Sequence, residues 1–491
     1  MQDRFDLISP LDSRYVGADP KLYGALHPYL SEDGYVTHKA EVEGHLARAL
    51  ADAGVIELAV AERIAGACAA VDPAAVAEEE KKTKHDVRAL VNVIAAKLPP
   101  ETARFVHLGA TSYDIVDTAN SLRYRRAVER VVLPRLGQLA ARLIAMAEAE
   151  ADTPQIGRTH GKHAEPITFG FAIAEYVARI GGRVEYLRTA AEALPGKLSG
   201  AVGAYNALGL LVPDPRELER RFLARAGVRR GGFSTQIVEP EGWTDLAHAL
   251  VTAMGVMANL ADDMRNLQRT EISEVAEAFS ETQVGSSTMP HKRNPISFEN
   301  IKSLWKVAAP RVMTTYMDQI SDHQRDLTNS ASQRFLGELI AIVAYAAGRM
   351  AESIDGVRVD RDKMKSNLAM SRGSIVAEPL YVLLAKHGVS EAHEVVRRLT
   401  LEAERGGVTV LEVAMHDDGL RQTIARLTPD ERRVLERPEE YRGLAGEVAR
   451  DVAQTWRARL AGIMPEHGVL PRSAEAPVAH APAARKKAAK R

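Results

Sequence analysis

Three stretches of this chain repeat their apolar residues every three or four positions, and that spacing limits the fold more than any other feature. In "EYVARIGGRVEYLRTAAEAL" the residues Val177, Ile180, Val184, Leu187, Ala191 and Leu194 follow steps of 3, 4, 3, 4 and 3. In "TDLAHALVTAMGVMANLADDMRNLQ" Leu246, Leu250, Ala253, Met257, Leu260, Met264 and Leu267 do the same, and Val132, Leu136, Leu139, Leu143 and Met146 form a shorter seam. Steps averaging about 3.5 residues keep one apolar stripe facing a partner helix along its length. A helix of about 25 residues is about 37 Å long at 1.5 Å per residue, so several of them side by side make a long bundle. Small residues on the stripes, Ala191 and Ala253, let helices approach closely. The stripes read as core packing, part of it between subunits.

Composition agrees with a helical chain. Hydrophobic residues make up 46% and aromatics only 5%. The apolar content is mostly Ala, Leu and Val, which favours close-packed helices over aromatic-rich strands. A length of 491 residues predicts two or three domains. The formal net charge of −1 argues against nucleic-acid or membrane binding by bulk electrostatics. Cys68 is the single cysteine, which excludes an internal disulfide or a multi-thiolate metal site and fits a reducing, cytoplasmic setting. The start "MQDRFDLISPLDSRY" lacks a basic-then-apolar leader pattern, and no run of about 18 apolar residues predicts a membrane span.

Along the chain, residues 1–30 are rich in Pro, Asp and Tyr and are expected to be irregular. Helical text runs from Tyr35 to Leu98, with breaks near Gly54 and Asp72-Pro73. After Gly356 the helices shorten and charge increases. The expected division is an N-terminal helical domain over 1–110, a central long-helix domain over 111–356 and a C-terminal helical domain over 357–471. The tail over 472–491 is Ala, Pro and base; it cannot bury an apolar face and is expected to stay unfolded.

Four segments interrupt the helical text with reactive residues: "SPLDSRY", "KHDVRAL" with "HLGATSYD", "GRTHGKHAEP", and "VGSSTMPHKRNP" with its sequel "QRDLTNSASQR". No dinucleotide fingerprint, phosphate loop, H-E-x-x-H or G-x-S-x-G elbow is present. His160 and His163 have the spacing of two metal ligands on a helix. Gly157, Gly161 and Pro166 make that segment a poor helix, and no matching carboxylate pair stands out, so no metal is expected. The loop over 284–295 suits proton removal from carbon. Gly285 and neighbouring amides can donate to a Ser286 oxyanion, and Lys292 adds a positive charge; both favour the ionised form. The same donors stabilise negative charge on a substrate carboxylate. Elimination also needs an acid near pH 7, and His160 is the natural candidate, with Glu299 able to hold its imidazole. Arg14, Arg325 and Arg334 can grip a phosphate or carboxylate, with Ser330, Thr111 and Ser112 as neutral donors.

"GSSTMPHKRNP" resembles the signature loop of the fumarase/aspartase/argininosuccinate lyase superfamily. "SPLDSRY", "KHDVRALV", "FVHLGATSYDIVDTA", "GRTHGKHAEPITFG", "LSGAVGAYNAL" and "QRDLTNSASQRF" resemble the branch acting on succinylated purine nucleotides. The resemblance covers about residues 9–336. It implies an all-α protein of three domains, a homotetramer with a core of about twenty long helices, and active sites shared by three subunits. It implies reversible elimination of fumarate without metal or organic cofactor. Ser286 then matches the general base, with Ser287 as the competing serine that the register of Lys292 disfavours. His160 matches the general acid and Glu299 its partner. Lys292 and Asn294 match residues that hold the succinyl carboxylates, and Thr111, Ser112 and Thr159 match further contacts. His85, Asp86 and Gln236 match substrate-positioning residues. Arg14, Tyr15, Arg325, Ser330 and Arg334 match the phosphate site. One departure is Lys162, where many relatives carry an uncharged residue. The competing readings are a sister lyase whose substrate lacks phosphate, a non-catalytic helical scaffold, and a nucleic-acid binder using the basic tail.

Overall fold

The computed structural model describes residues 6–279, 282–371 and 373–463; the tail expected to be unfolded lies outside them. The expected irregular start contains a helix, α1 (Pro20–Leu30). Asp19 accepts hydrogen bonds from the amides of Lys21 and Leu22, with Pro20 at the first helical position, where its missing N–H and fixed φ suit a helix start. α2 (Glu32–Asp52) starts at the Ser31 cap. α3 (Leu58–Ala69) and α4 (Asp86–Ala95) follow. α5 (Ser112–Ala127) passes through one wider turn, Val128–Val132, into α6 (Leu133–Ala149). An antiparallel hairpin of β1 (Pro154–Thr159) and β2 (Lys162–Thr168) then leads to α7 (Phe169–Glu192). α8 (Glu241–Leu267) has 27 residues and so spans about 40 Å. After it come β3 (Val275–Ala276), the 284–295 loop, α9 (Ile296–Ala308), α10 (Arg311–Met317) and α11 (Leu336–Asp355). β4 (Arg358–Val359) pairs antiparallel with β3. α12 (Arg361–Ala369), α13 (Ala377–Lys386) and α14 (Ala392–Gly406) follow, and after three short helices within 410–436 comes α15 (Ala445–Ile463). The protein is all-α, with strands confined to short pairs.

The seams read from the sequence are the core. Leu136, Leu139, Leu143, Val177, Ile180, Val184, Leu187, Leu246, Leu250, Met257, Leu260 and Met264 are all buried. They join residues of α9 and α11 in one cluster, together with Ala449, Ala453, Trp456 and Leu460 of α15. Truncating such a leucine to alanine costs about 2–5 kcal/mol. A second cluster gathers α2 to α4 with Ile115, Ala119 and Leu122 of α5 and Phe222 and Leu223 from a later helix. A third lies within residues 376–435. Packing therefore ignores chain order, since α15 returns to the first cluster after the third is built. No single helix among the described residues is long and apolar enough to cross a membrane.

Cross-links fix the direction of the long helices. From α7 to α8, the Tyr176 hydroxyl donates to Asp263, Arg179 to Asn259 at 2.9 Å and Arg183 to Thr252 at 3.3 Å. From α9 to α8, Lys302 pairs with Asp262 and Glu299 stands 4.0 Å from Arg265. Rising numbers on one helix meet falling numbers on α8, so both neighbours run antiparallel to it. The β1–β2 hairpin and the 284–295 loop thus lie at the C-terminal end of α8, called here the hairpin end. The residues just before Glu241, with Gln324 against Gln236, lie at the opposite end.

Candidate active site

At the hairpin end, β1 and β2 are joined by the two-residue turn His160-Gly161, with Thr159 paired to Lys162. His160 takes φ +53° and Gly161 φ +74°, the left-handed pair that a tight hairpin of this hand requires. The turn lifts an exposed imidazole to the tip. Thr159 and Lys162 are also exposed. Below the tip, His163 Nδ1 lies 2.7 Å from the Ser371 hydroxyl. Burial, and then the Arg158 charge, lower the pKa of His163.

The 284–295 loop closes on itself at the same end. Ser286 Oγ accepts hydrogen bonds from the amides of Met289 at 3.0 Å and Thr288 at 3.3 Å. A serine bonded to amides two and three residues on is an ordinary turn, and the same two donors would favour negative charge on that oxygen. The Asn294 amide donates to the Gly285 carbonyl at 2.8 Å. A Cβ on Gly285 would come within 2.2 Å of the Lys292 carbonyl, so only glycine lets the loop fold this tightly. Lys292 is exposed.

The opposite end collects a different set. His85 caps α4, its Nδ1 accepting from the Arg88 amide at 3.3 Å and its Nε2 lying 3.4 Å from Ser112 Oγ. Asp86 accepts from the buried Lys39 ammonium at 2.8 Å. Burial raises the Asp86 pKa, but Lys39, the Val87 amide and His85 together outweigh it and the net shift is downward. The Thr111 amide donates to Asp114 at 2.8 Å. Asp114 also takes the buried Lys197 ammonium and the amides of Ser199 and Gly200. The Gln236 amide donates to the Gln324 carbonyl at 3.1 Å, which brings "FSTQIVEP" against "QRDLTNSASQR". Arg325 stands in that turn at φ +89°, an uncommon backbone for an L residue, and donates to Ser321 Oγ at 3.0 Å. Ser330 is exposed beside the buried Asn329. Arg334 is close enough to Tyr35 and Tyr113 for its charge to act on both phenols.

Some expected partners do not meet within one chain. Glu299 stands by Arg265, and no contact joins it to His160 among the described residues. Tyr15 packs edge-on against Tyr345, ring centres 5.4 Å apart. Tyr345 lies nine residues along α11 from Leu336, about 14 Å at 1.5 Å per residue, yet Ser9, Leu11, Asp12 and Val16, on either side of Arg14 and Tyr15, line one cavity with Arg334. The two sets, Ser286 with His160 and His85 with Arg325, are separated by the length of α8.

Sequence reasoning missed the buried charges that hold these segments. Lys39, Asp114, Asp117, Lys197 and Glu274 are all buried. The signal for two of them was visible: Asp114 and Asp117 stand three apart, flanked by Ile115, Val116 and Ala119, so a buried acidic face was readable in "SYDIVDTA".

A family model described as "Lyase" matches residues 13–312, and one described as "Adenylosuccinate lyase C-terminal" matches residues 321–431. The chain is similar to adenylosuccinate lyase from Pyrococcus horikoshii, 35% identical, over 91% of this chain and 97% of that protein. It is similar to adenylosuccinate lyase from Pyrococcus abyssi at 34% identity, over 91% and 97%. Among solved structures, 3-carboxy-cis,cis-muconate lactonizing enzyme from Pseudomonas putida superposes with a TM-score of 0.76 at 26% identity, covering 89% of this chain and 98% of that one.

Proposed function

The chain belongs to the adenylosuccinate lyase family, and we propose that it cleaves adenylosuccinate to AMP and fumarate. We extend the reading to the succinylated aminoimidazole carboxamide ribotide, which carries the same succinyl group on nitrogen. Ser286, as the alkoxide, takes the proton from the carbon next to a succinyl carboxylate. The electron pair moves into that carboxylate, held by Lys292 and Asn294 with Thr111, Ser112 and Thr159. The pair then forms the fumarate double bond as the carbon–nitrogen bond breaks, and His160 protonates the leaving nitrogen. Each bond made is matched by one broken and nothing is oxidised or reduced overall, so the step needs no redox partner. His85, Asp86 and Gln236 position the purine nucleotide. Arg14, Tyr15, Arg325, Ser330 and Arg334 hold its phosphate, a group that the sister lyases have no use for.

The observation that carries this reading is the separation of the two sets by a 27-residue helix. One copy cannot bring His160 to Arg325 across about 40 Å. Neighbouring copies placed antiparallel can, and a homotetramer with each site drawn from three subunits does so, with Glu299 of one copy reaching His160 of another. The enzyme works in the cytoplasm, where its single thiol stays reduced. Mixing the purified protein with adenylosuccinate tests this directly: purine absorbance changes as AMP and fumarate appear. A flat trace at micromolar enzyme rejects the assignment.

A further inference from the structure

Between α8 and the 284–295 loop, two glutamates three residues apart each hold a different segment of the hairpin end. Glu274 is fully buried. Its carboxylate accepts from Gln155 at 2.7 Å, from Arg158 at 2.6 and 3.3 Å, and from Asn367 at 2.8 Å. Gln155 and Arg158 belong to β1, and Arg158 is two residues from His160. Asn367 lies on α12 and also donates to the Ile272 carbonyl at 2.7 Å. The Glu274 backbone is fixed as well, its amide donating to Leu267 and its carbonyl accepting from Asp360, both at 2.9 Å. Glu277 faces the other way. It accepts from the amides of Ser297 at 3.1 Å and Phe298 at 3.0 Å, in the first turn of α9, where the loop ends. Its own amide donates to the Gln268 side chain at 2.8 Å.

We propose that Glu274 and Glu277 are positioning residues that tie the His160 hairpin and the Ser286 loop into one body. The claim rests on the roles given above to His160 and Ser286. Three residues of extended chain span about 10 Å, and β3, paired to β4, stiffens the link. A carboxylate with four charged or amide donors is held from every side, so its β1 partners cannot shift without leaving a buried charge unpaired. A displacement of the hairpin is therefore transmitted to the base of the loop. Because neighbouring copies share sites in the proposed assembly, a shift of the loop at one site moves the hairpin that serves another.

The test uses full-length, assembled protein. In Glu274→Gln a carboxamide of the same shape brings its own N–H groups against two of the four donors, whichever oxygen is replaced. We expect kcat to fall about 100-fold, the cost of misplacing a reacting group by about 1 Å, with KM changed less than about twofold. We expect backbone hydrogen exchange over residues 155–168 to accelerate. Glu277→Gln should lower kcat and accelerate exchange over 284–299 instead. Glu431→Gln, which removes the Lys386 and His387 partner in the C-terminal region, serves as a control with unchanged kcat. If Glu274→Gln fails to assemble, Asn367→Ala removes a single donor and carries the same comparison. A kcat within about threefold of wild type, or unchanged exchange over 155–168, overturns the proposal. Wild-type protein inert towards adenylosuccinate would end the proposed reaction, and the exchange data would then decide the tie by themselves.

Discussion

At the opposite end of the bundle Asp114, Asp117, Lys39 and Lys197 are buried, and Asp114 alone takes an ammonium and three backbone amides. At the hairpin end His160, Lys162, Lys292 and Met289 face solvent, and the support lies behind them, in Glu274 and Glu277. Burying a charge is costly unless it is paired and hydrogen-bonded. A chain that keeps several such charges at one end gains fixed geometry there, which suits holding a nucleotide. The hairpin end keeps its polar tips uncovered, as the assembly proposed above requires of segments that complete a site on another copy.

The sharpest way to break this contrast is Ser286→Ala. Loss of a positioned proton acceptor should lower turnover about 10²–10⁴-fold while adenylosuccinate still binds; a variant with wild-type kcat removes the base from this loop. Next is Lys197→Met, which leaves the Asp114 carboxylate buried without its cation. We expect a loss of about 3–5 kcal/mol in urea unfolding of the assembled protein. A loss under about 1 kcal/mol would mean that this end does not owe its rigidity to buried pairs. Arg325→Ala removes a charged donor worth about 1.5–3 kcal/mol. It should weaken adenylosuccinate about 10–100-fold and leave free fumarate unaffected; equal losses would move Arg325 to a carboxylate role. The last test concerns Asp117, whose pKa is pushed up to about 7, first by burial, although the Val238 amide and Lys197 oppose it. The folded protein then holds a proton that the unfolded chain has lost, so stability falls as pH rises from about 4 to about 7. In Asp117→Asn this part of the pH dependence should vanish, which thermal melts at pH 5 and 8 will show.

The helices were legible because apolar spacing is a local property, as Leu246 to Leu267 demonstrates. The 284–295 loop was legible because Ser286, Lys292 and Asn294 crowd into one short interruption. The hairpin was not: Gly157, Gly161 and Pro166 argued against a helix, but β1 and β2 lack the alternating apolar residues that mark a strand, and the His160-Gly161 turn is the one local clue. Buried pairs were least legible of all. Lys197 and Asp114 stand 83 positions apart and Gln155 and Glu274 stand 119 apart, and no local pattern announces a partner at that range. The helix over Pro20–Leu30 was hidden by composition, since Asp19-Pro20 reads equally as a turn or as a helix start.

The 27 residues of α8 also act as a ruler. A turn removed from α8 alone would shorten it by about 5.4 Å while α7 beside it kept its length. Glu274 would then be drawn away from Gln155 and Arg158 of β1, so the length of this one helix sets whether the hairpin end can form.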